Sequence, residues 1–173
     1  GNFDKGWSCC ASSSNGLKLV AGVNGGRLYT STDGGFTWTE RQPAGALDKG
    51  WISIGSSSDG VKLIVASYVG RLYTSTDSGL TWTERQPAGA LDKNWRVTIS
   101  DSSGIKLVAG SYGGRLYSSF DSGLTWTEVQ PAGNVDKNWY SGAYGDNGTG
   151  LIVGINTGRL HIGSVYTQSE LGI

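Results

Sequence analysis

RLYTSTDSGLTWTERQPAGALDKNW, residues 71–95, decides how this chain is organised, because nearly the same string occurs before and after it. Residues 27–51 match it at 22 of 25 positions, and residues 115–139 match it at 20 of 25. The three copies begin 44 residues apart, at Arg27, Arg71 and Arg115. Self-similarity at a fixed step of this length predicts a repeat protein, in which one small structural unit recurs along the chain.

The overall composition limits the classes of partner. The chain has 173 residues, a length that suits one domain over residues 1–173. Because 14 Lys and Arg balance 14 Asp and Glu, no global field favours nucleic acid or an anionic membrane. No apolar run approaches the ~18 residues of a membrane span. We therefore expect no nucleic-acid partner and no membrane insertion.

Four units begin at equivalent tryptophans, which are Trp7, Trp51, Trp95 and Trp139. Each unit divides into four short strands: one that starts at the Trp, an apolar one such as VKLIVAS, one that starts at a Gly-Arg step, and TWTERQ or TWTEVQ. Dipeptides such as Asn15-Gly16 and Asp59-Gly60 are typical of tight hairpin turns. No window has helical periodicity. The sequence predicts an all-β chain with units at about 7–43, 51–87, 95–131 and 139–173.

The pattern S-x-D-x-G-x-T-W joins the third and fourth strands in three units. The Asp carboxylate can accept backbone N–H bonds inside a turn, and the Gly can take a left-handed backbone conformation. No second carboxylate lies at metal-ligand spacing, so we predict a structural role and expect no metal and no cofactor. The residues concerned are Ser31, Asp33, Gly35, Trp38, Ser75, Asp77, Gly79, Trp82, Ser119, Asp121, Gly123 and Trp126.

This pattern is the Asp-box, and a chain of four-stranded repeats that carry it resembles the Asp-box (BNR-like) β-propellers. That group includes sialidase-like domains, photosystem assembly factors and several lectins. The resemblance covers about residues 7–163 and implies a β-propeller built of four 44-residue repeats. Each repeat would be a four-stranded antiparallel blade with its Asp-box on the outer rim. The resemblance implies a fold more strongly than a function, because propellers host many unrelated activities.

The fourth repeat lacks the motif. Val165, Thr167 and Glu170 stand where the Asp, Gly and Trp are expected, so the fourth blade is predicted to be incomplete. A missing outer strand leaves a sheet edge that can pair with another chain. The repeats could close as one four-bladed ring, form a larger ring with a second chain, or complete the last blade with a neighbour's strand.

A candidate ligand site follows from the propeller geometry. The connections between second and third strands, and those between units, would share one face of a propeller. Aromatic rings beside Lys and Asn suit a sugar, whose C–H face stacks while its hydroxyls form hydrogen bonds. The structural alternative is that each Trp packs between units and that the Asp-Lys pairs hold the connections. The candidate residues are Trp51, Trp95, Trp139, Tyr68, Tyr112, Asn24, Asn156, Lys49 and Lys93.

The sequence offers little for catalysis. His161 is the single histidine, and it occupies a position that is Tyr in the other units. The arginines at 27, 71, 115 and 159 occupy equivalent positions, whereas an active site needs unlike groups that converge. We therefore predict that the protein is not an enzyme, and a sialidase-like hydrolase has the least support. The adjacent Cys9 and Cys10 cannot form a disulfide framework and are interpreted as strand residues.

The predicted function is that of a non-catalytic structural or interaction module, extracellular or at the cell surface. It would form homo-oligomers through the incomplete blade edge. The alternative is a multivalent lectin that binds glycans at the candidate residues. Asn147-Gly148-Thr149 also fits the N-glycosylation sequon.

Overall fold

The computed structural model describes residues 4–145 and 150–164, the last three by their backbone alone. In this part of the chain the regular structure is β-strand throughout, in four successive groups that correspond to the sequence units. No helix there is long and apolar enough to span a membrane. The sequon at Asn147 and the predicted remnant of a fourth outer strand, residues 165–173, lie outside the described residues.

The strands recur at nearly the same offsets in each unit. Unit 1 consists of β1 (Trp7–Ser12), β2 (Leu19–Gly26), β3 (Leu28–Ser31) and β4 (Thr39–Arg41). Unit 2 consists of β5 (Lys49–Ser56), β6 (Leu63–Tyr68), β7 (Leu72–Ser75) and β8 (Thr83–Arg85). Unit 3 consists of β9 (Trp95–Ser100), β10 (Leu107–Ser111), β11 (Leu116–Ser119) and β12 (Thr127–Val129). Unit 4 contains β13 (Trp139–Tyr144), β14 (Gly150–Ile155) and β15 (Leu160–Ser164).

Each unit is an antiparallel sheet whose strands are adjacent in chain order. In unit 3, for example, β9 pairs with β10, β10 with β11 and β11 with β12. The second strands β6 and β10 are buried along most of their length, as their continuous apolar sequences predict. Gly16, Gly60 and Gly104 take positive φ at the hairpins that follow the first strands, so these glycines make the tight turns.

Consecutive units are joined by backbone pairing and by packing of their first strands. Gly26 pairs with Lys49, Gly70 with Lys93 and Gly114 with Lys137, each between one unit and the connection to the next. Strands β1 and β5, β5 and β9, and β9 and β13 pack against one another in turn. The sheets are therefore arranged side by side with their first strands together.

The apolar core lies between the units rather than inside any one of them. Each interface buries a Leu from the third strand of one unit beside the Trp that begins the next unit. The three pairs are Leu28 with Trp51, Leu72 with Trp95, and Leu116 with Trp139. All six side chains are at most 2% exposed, so they are buried as fully as the core residues of a domain.

The S-x-D-x-G-x-T-W segments form three nearly identical turns, here called the Asp turns (residues 31–38, 75–82 and 119–126). In the first, the Ser31 hydroxyl donates to Asp33 Oδ1 at 2.7 Å, and Thr37 N donates to the same oxygen at 2.9 Å. Gly35 N donates to Ser31 Oγ at 2.9 Å, and Trp38 Nε1 donates to the Gly35 carbonyl at 3.0 Å. The carboxylate thus binds the groups of its own turn.

These hydrogen bonds stabilise the ionised carboxylates. The pKa of Asp33 falls from 3.8 to about 2, chiefly because the Thr37 hydroxyl and amide and the Ser31 hydroxyl donate to it. For Asp77 and Asp121, partial burial alone would raise the pKa, but the hydrogen bonds from Thr81 and Thr125 outweigh it and the pKa is lowered. Ionised carboxylates are therefore part of the folded state.

We predict acid destabilisation that originates in the Asp turns. Because the folded pKa is below the unfolded one, the stabilisation is present above about pH 4 and is lost as the pH falls toward about 2. The melting temperature should therefore fall steeply in that window. In the triple variant Asp33→Asn, Asp77→Asn and Asp121→Asn the fall should be much shallower, with lower stability at neutral pH. Calorimetry across the pH range measures both, and an unchanged acid slope in the triple variant would contradict the assignment.

Candidate functional site

The predicted ligand-contacting positions lie at one end of the sheets, where the second strands finish. In unit 3, Tyr112 N donates to the Asn94 carbonyl at 2.8 Å, and in unit 4, Asn156 N donates to the Asn138 carbonyl at 2.8 Å. Tyr68 occupies the same position in unit 2, where it pairs with Gly50. The end of each second strand is thus held beside the connection that enters its own unit, so the candidate residues share a face.

The tryptophans of this set are not available to a ligand. Trp51, Trp95 and Trp139 are 1%, 1% and 2% exposed. Their indole N–H groups donate to the Gly26, Gly70 and Gly114 carbonyls of the preceding unit at 3.0, 3.1 and 3.1 Å. Their rings also meet a ring of their own unit edge to face, with centroids 5.6–5.8 Å apart. These three residues pack between units, so they are removed from the candidate ligand set.

The arginines of the Gly-Arg step hold the connections between units. Arg71 Nε lies 2.6 Å from an Asp92 carboxylate oxygen, and its terminal nitrogens donate to the Gly89 and Ala90 carbonyls at 3.3 and 2.6 Å. Arg27 and Arg115 form the equivalent ion pairs with Asp48 and Asp136 at 2.7 and 2.8 Å. Each arginine therefore stabilises a different connection, and the three side chains do not come together to form one site.

Lys49 and Lys93 contribute through their backbone. Lys93 N donates to the Gly70 carbonyl at 3.1 Å, and Gly70 N donates to the Lys93 carbonyl at 3.0 Å. Lys49 pairs with Gly26 in the same way. Both lysines therefore lie at the bridges between units, beside the buried tryptophans.

Tyr68, Tyr112, Asn24 and Asn156 are the candidate residues that face solvent. Tyr68 and Tyr112 are 43% and 38% exposed, and one side chain that the sequence analysis did not single out lies against both: Arg96. A signal for it exists in the sequence. Arg96 directly follows the invariant Trp, at a position where the other units carry Ser, Ile and Tyr. In near-identical repeats, residues that maintain the fold are the same in each copy. A position that differs in every copy is therefore not fixed by the fold.

Other reactive groups are isolated from one another. His161 packs edge to face on Trp139, as the tyrosines do on their tryptophans in the other units. Burial raises the pKa of the Cys9 thiol to about 11, so it is protonated at neutral pH. Across residues 4–145 and 150–164, no three His, Cys, Asp or Glu side chains are grouped so as to hold a metal ion.

Solved structures show where this architecture occurs. The chain is similar to a structure described as YCF48 bound to D1 peptide (18% identity, TM-score 0.62), covering 95% of this chain and 55% of that one. It is also similar to the β-propeller domain of Myceliophteria thermophila Cps50 (Swd1) at 13% identity and TM-score 0.70, covering 94% and 52%. A third is the Niastella koreensis GH74 enzyme at 24% identity and TM-score 0.67, covering 91% and 22%.

The chain has a β-propeller fold. It spans about half the length of the YCF48 and Swd1 chains and about a fifth of the GH74 chain. No protein-family model and no curated protein sequence matches it. Since the structural neighbours share less than a quarter of their residues with this chain, they show its fold alone.

A pair of substitutions tests the role of the unit tryptophans. Trp95→Phe removes the indole N–H from the Gly70 carbonyl and leaves a gap between units 2 and 3, so unfolding should cost about 2 kcal/mol less. Trp7→Phe is the matched control, because Trp7 is 52% exposed and its N–H has no partner among the described residues. It should change stability by less than about 0.5 kcal/mol. Urea denaturation of dilute protein measures both, and equal losses would contradict the packing role.

Proposed function

We propose that this protein is a non-catalytic interaction module that assembles head to tail with a second copy of itself. The observation that carries the proposal is an unmatched pair of apolar side chains at the two ends of the unit array. Trp7 is 52% exposed, although its three equivalents are at most 2% exposed. Leu160 is 67% exposed, although its three equivalents are at most 1% exposed.

The two end faces are complementary because the same interface already occurs three times within the chain. Each internal interface places the third-strand Leu of one unit against the Trp of the next. The end face of unit 4 presents the Leu without a following Trp, and the end face of unit 1 presents the Trp without a preceding Leu. Unit 1 of a second copy would therefore bury Leu160 as unit 2 buries Leu28.

Polar groups at the end faces support the same pairing. In units 1 to 3 an arginine binds the Asp of the following connection, as Arg27 binds Asp48. Arg159 and Asp4 are the corresponding residues of the two end faces, both are exposed, and neither has an ion-pair partner among the described residues. The Gly158 carbonyl corresponds to those that accept the indole N–H of the next unit, and the Trp7 N–H has no such acceptor among the described residues. Association of two copies would therefore bring Arg159 to Asp4 and the Gly158 carbonyl to the Trp7 N–H.

The surface proposed here differs from the edge expected from sequence. The residues that would show whether β15 has an outer neighbour are 165–173, which lie outside the described residues. The proposal therefore rests on the end faces of units 1 and 4. Head-to-tail contacts close into a ring when the rotation allows it, and two copies joined at both ends would form a ring of eight units.

One of the comparisons supports a role in protein interactions. One neighbour is described as bound to a D1 peptide. The self-complementary ends favour a second copy of this chain as the partner here. A multivalent lectin has less support, because its three aromatic platforms are buried and hydrogen-bonded. A glycan array would test it: sugar binding that depends on Tyr68 or Tyr112 would restore that alternative.

The mass of the 173-residue chain in solution tests the assembly. We expect a dimer of twice 18.2 kDa at micromolar concentration, seen by sedimentation or light scattering. Trp7→Ser or Leu160→Ser should each weaken association by about 30-fold, because burying such a side chain is worth about 2 kcal/mol. Neither change should unfold the chain, since both side chains are exposed.

Two controls make the outcome specific. Leu47→Ser removes another exposed Leu, 63% exposed and outside the end faces, and should leave the dimer intact. Asp4→Arg and Arg159→Asp should each weaken the dimer, and the double variant should restore it by exchanging the charges. A chain that stays monomeric at the highest accessible concentration would overturn the proposal, and an open-ended series of masses would overturn the closed ring.

A further inference from the structure

Arg96 lies outside the regular ladder of its sheet. The pairing of β9 with β10 shifts between Gly110 and Ser111, which face Val97 and Trp95, so Arg96 is the extra residue of a β-bulge. The same bulge occurs after Trp7, Trp51 and Trp139. Bulges redirect a side chain away from the alternation of the strand and are common beside binding sites. The fold therefore provides one redirected residue per unit, and in unit 3 it is an arginine.

The Arg96 guanidinium lies beside two aromatic rings. Its Cζ lies 4.7 Å from the centroid of the Tyr68 ring and 5.9 Å from that of Tyr112. Tyr68 ends β6 of unit 2 and Tyr112 directly follows β10 of unit 3, so the group spans the boundary between those units. Units 1 and 4 have Asn24 and Asn156 at this position, and the arginine is found in unit 3 alone. The cluster is thus specific to the middle of the chain.

Within the described part of the chain, the Arg96 side chain has no counter-charge. No carboxylate of the described residues lies within 4.0 Å of it, and its Nε is buried without a hydrogen-bond partner. Its terminal nitrogens also have no partner in that part of the chain, and they reach solvent. By contrast, Arg27, Arg71 and Arg115 form ion pairs, and Arg41 and Arg85 donate to threonine hydroxyls at 2.8 Å. Arg96 is held by ring faces while its donors stay free.

We propose that Arg96, with Tyr68 and Tyr112, forms a binding site for a carboxylate ligand. A guanidinium presents coplanar N–H groups that match the two oxygens of a carboxylate, and such bidentate pairs are strong. Contact with the tyrosine rings limits the orientations of that plane and so lowers the entropy lost on binding. The exposed tyrosine surface would contact the group that carries the carboxylate. This site is independent of the head-to-tail assembly, because it lies between units 2 and 3.

The test compares matched acid and amide probes by isothermal titration calorimetry at low ionic strength. The α-amide of N-acetylglutamate (Ac-Glu-NH2) and its side-chain amide Ac-Gln-NH2 form one pair, and the capped peptides Ac-GEGEG-NH2 and Ac-GQGQG-NH2 form the other. Each acid should bind at least about 10-fold more tightly than its amide, as expected for a charge-assisted bidentate contact. Binding of both acids would show that a free carboxylate suffices, and binding of the acidic peptide alone would identify an acidic protein segment as the source.

Variants assign the binding to this arginine. Arg96→Gln should remove the preference for the acid, and Arg96→Lys should lose most of it, because an ammonium keeps the charge without the planar pair of donors. Arg85→Gln is the control: it removes the same charge from an arginine bound to Thr74 and should leave binding unchanged. The proposal is overturned if neither acid binds more tightly than its amide, if Arg85→Gln acts like Arg96→Gln, or if inorganic phosphate displaces the probes more effectively than Ac-Glu-NH2.

Discussion

The tryptophan that begins each of units 2 to 4 couples that unit to the one before it, and the rest of the structure depends on this contact. Its ring meets the tyrosine or histidine of its own third strand edge to face, while its N–H binds a glycine carbonyl of the preceding unit. The preceding second strand must leave room for it. A Cβ added to Gly110 would lie 2.7 Å from the Cβ of Trp139, so only a very small residue fits where the two units meet.

Because the core lies between units, the stability of this protein resides in contacts between neighbours. A sheet of four short strands has little apolar surface to bury within itself, and here the buried clusters combine residues of adjacent units. The free energy of unfolding of such an array is approximately the sum of the stabilities of the single units and of the contacts between nearest neighbours. An end unit with one covered face is therefore held less firmly than a central unit with two. Units 2 and 3, whose shared boundary carries Arg96 and its tyrosines, each have neighbours on both sides.

Local interactions made part of this structure predictable. The Asp turns follow from three or four side chains within eight residues, so the roles of Asp77 and Gly79 could be assigned from sequence. The left-handed conformations of Ser78 and Ser122, with φ of 60° at each, were not predicted. Non-glycine residues rarely adopt this conformation, and the surrounding turn imposes it here.

Predictions that depended on neighbouring units were less certain. The sequence allowed Trp95 to contact either a ligand or another unit, and only the position of Gly70 decides between them. The bulge at Arg96 arises from a shift in strand register, which no residue pattern in one strand encodes.

The near identity of the interfaces also bears on how the chain folds. Leu28, Leu72 and Leu116 present the same apolar surface to the next tryptophan, so unit 1 offers unit 3 or unit 4 almost the same partner that it offers unit 2. Out-of-order pairing and exchange of units between chains are therefore competing outcomes during refolding. What separates the correct order is the short connection between successive units, because closing a short loop costs less entropy than closing one that skips 44 residues. The order of the array is thus maintained by chain connectivity, because the Leu–Trp contact itself recurs at each interface.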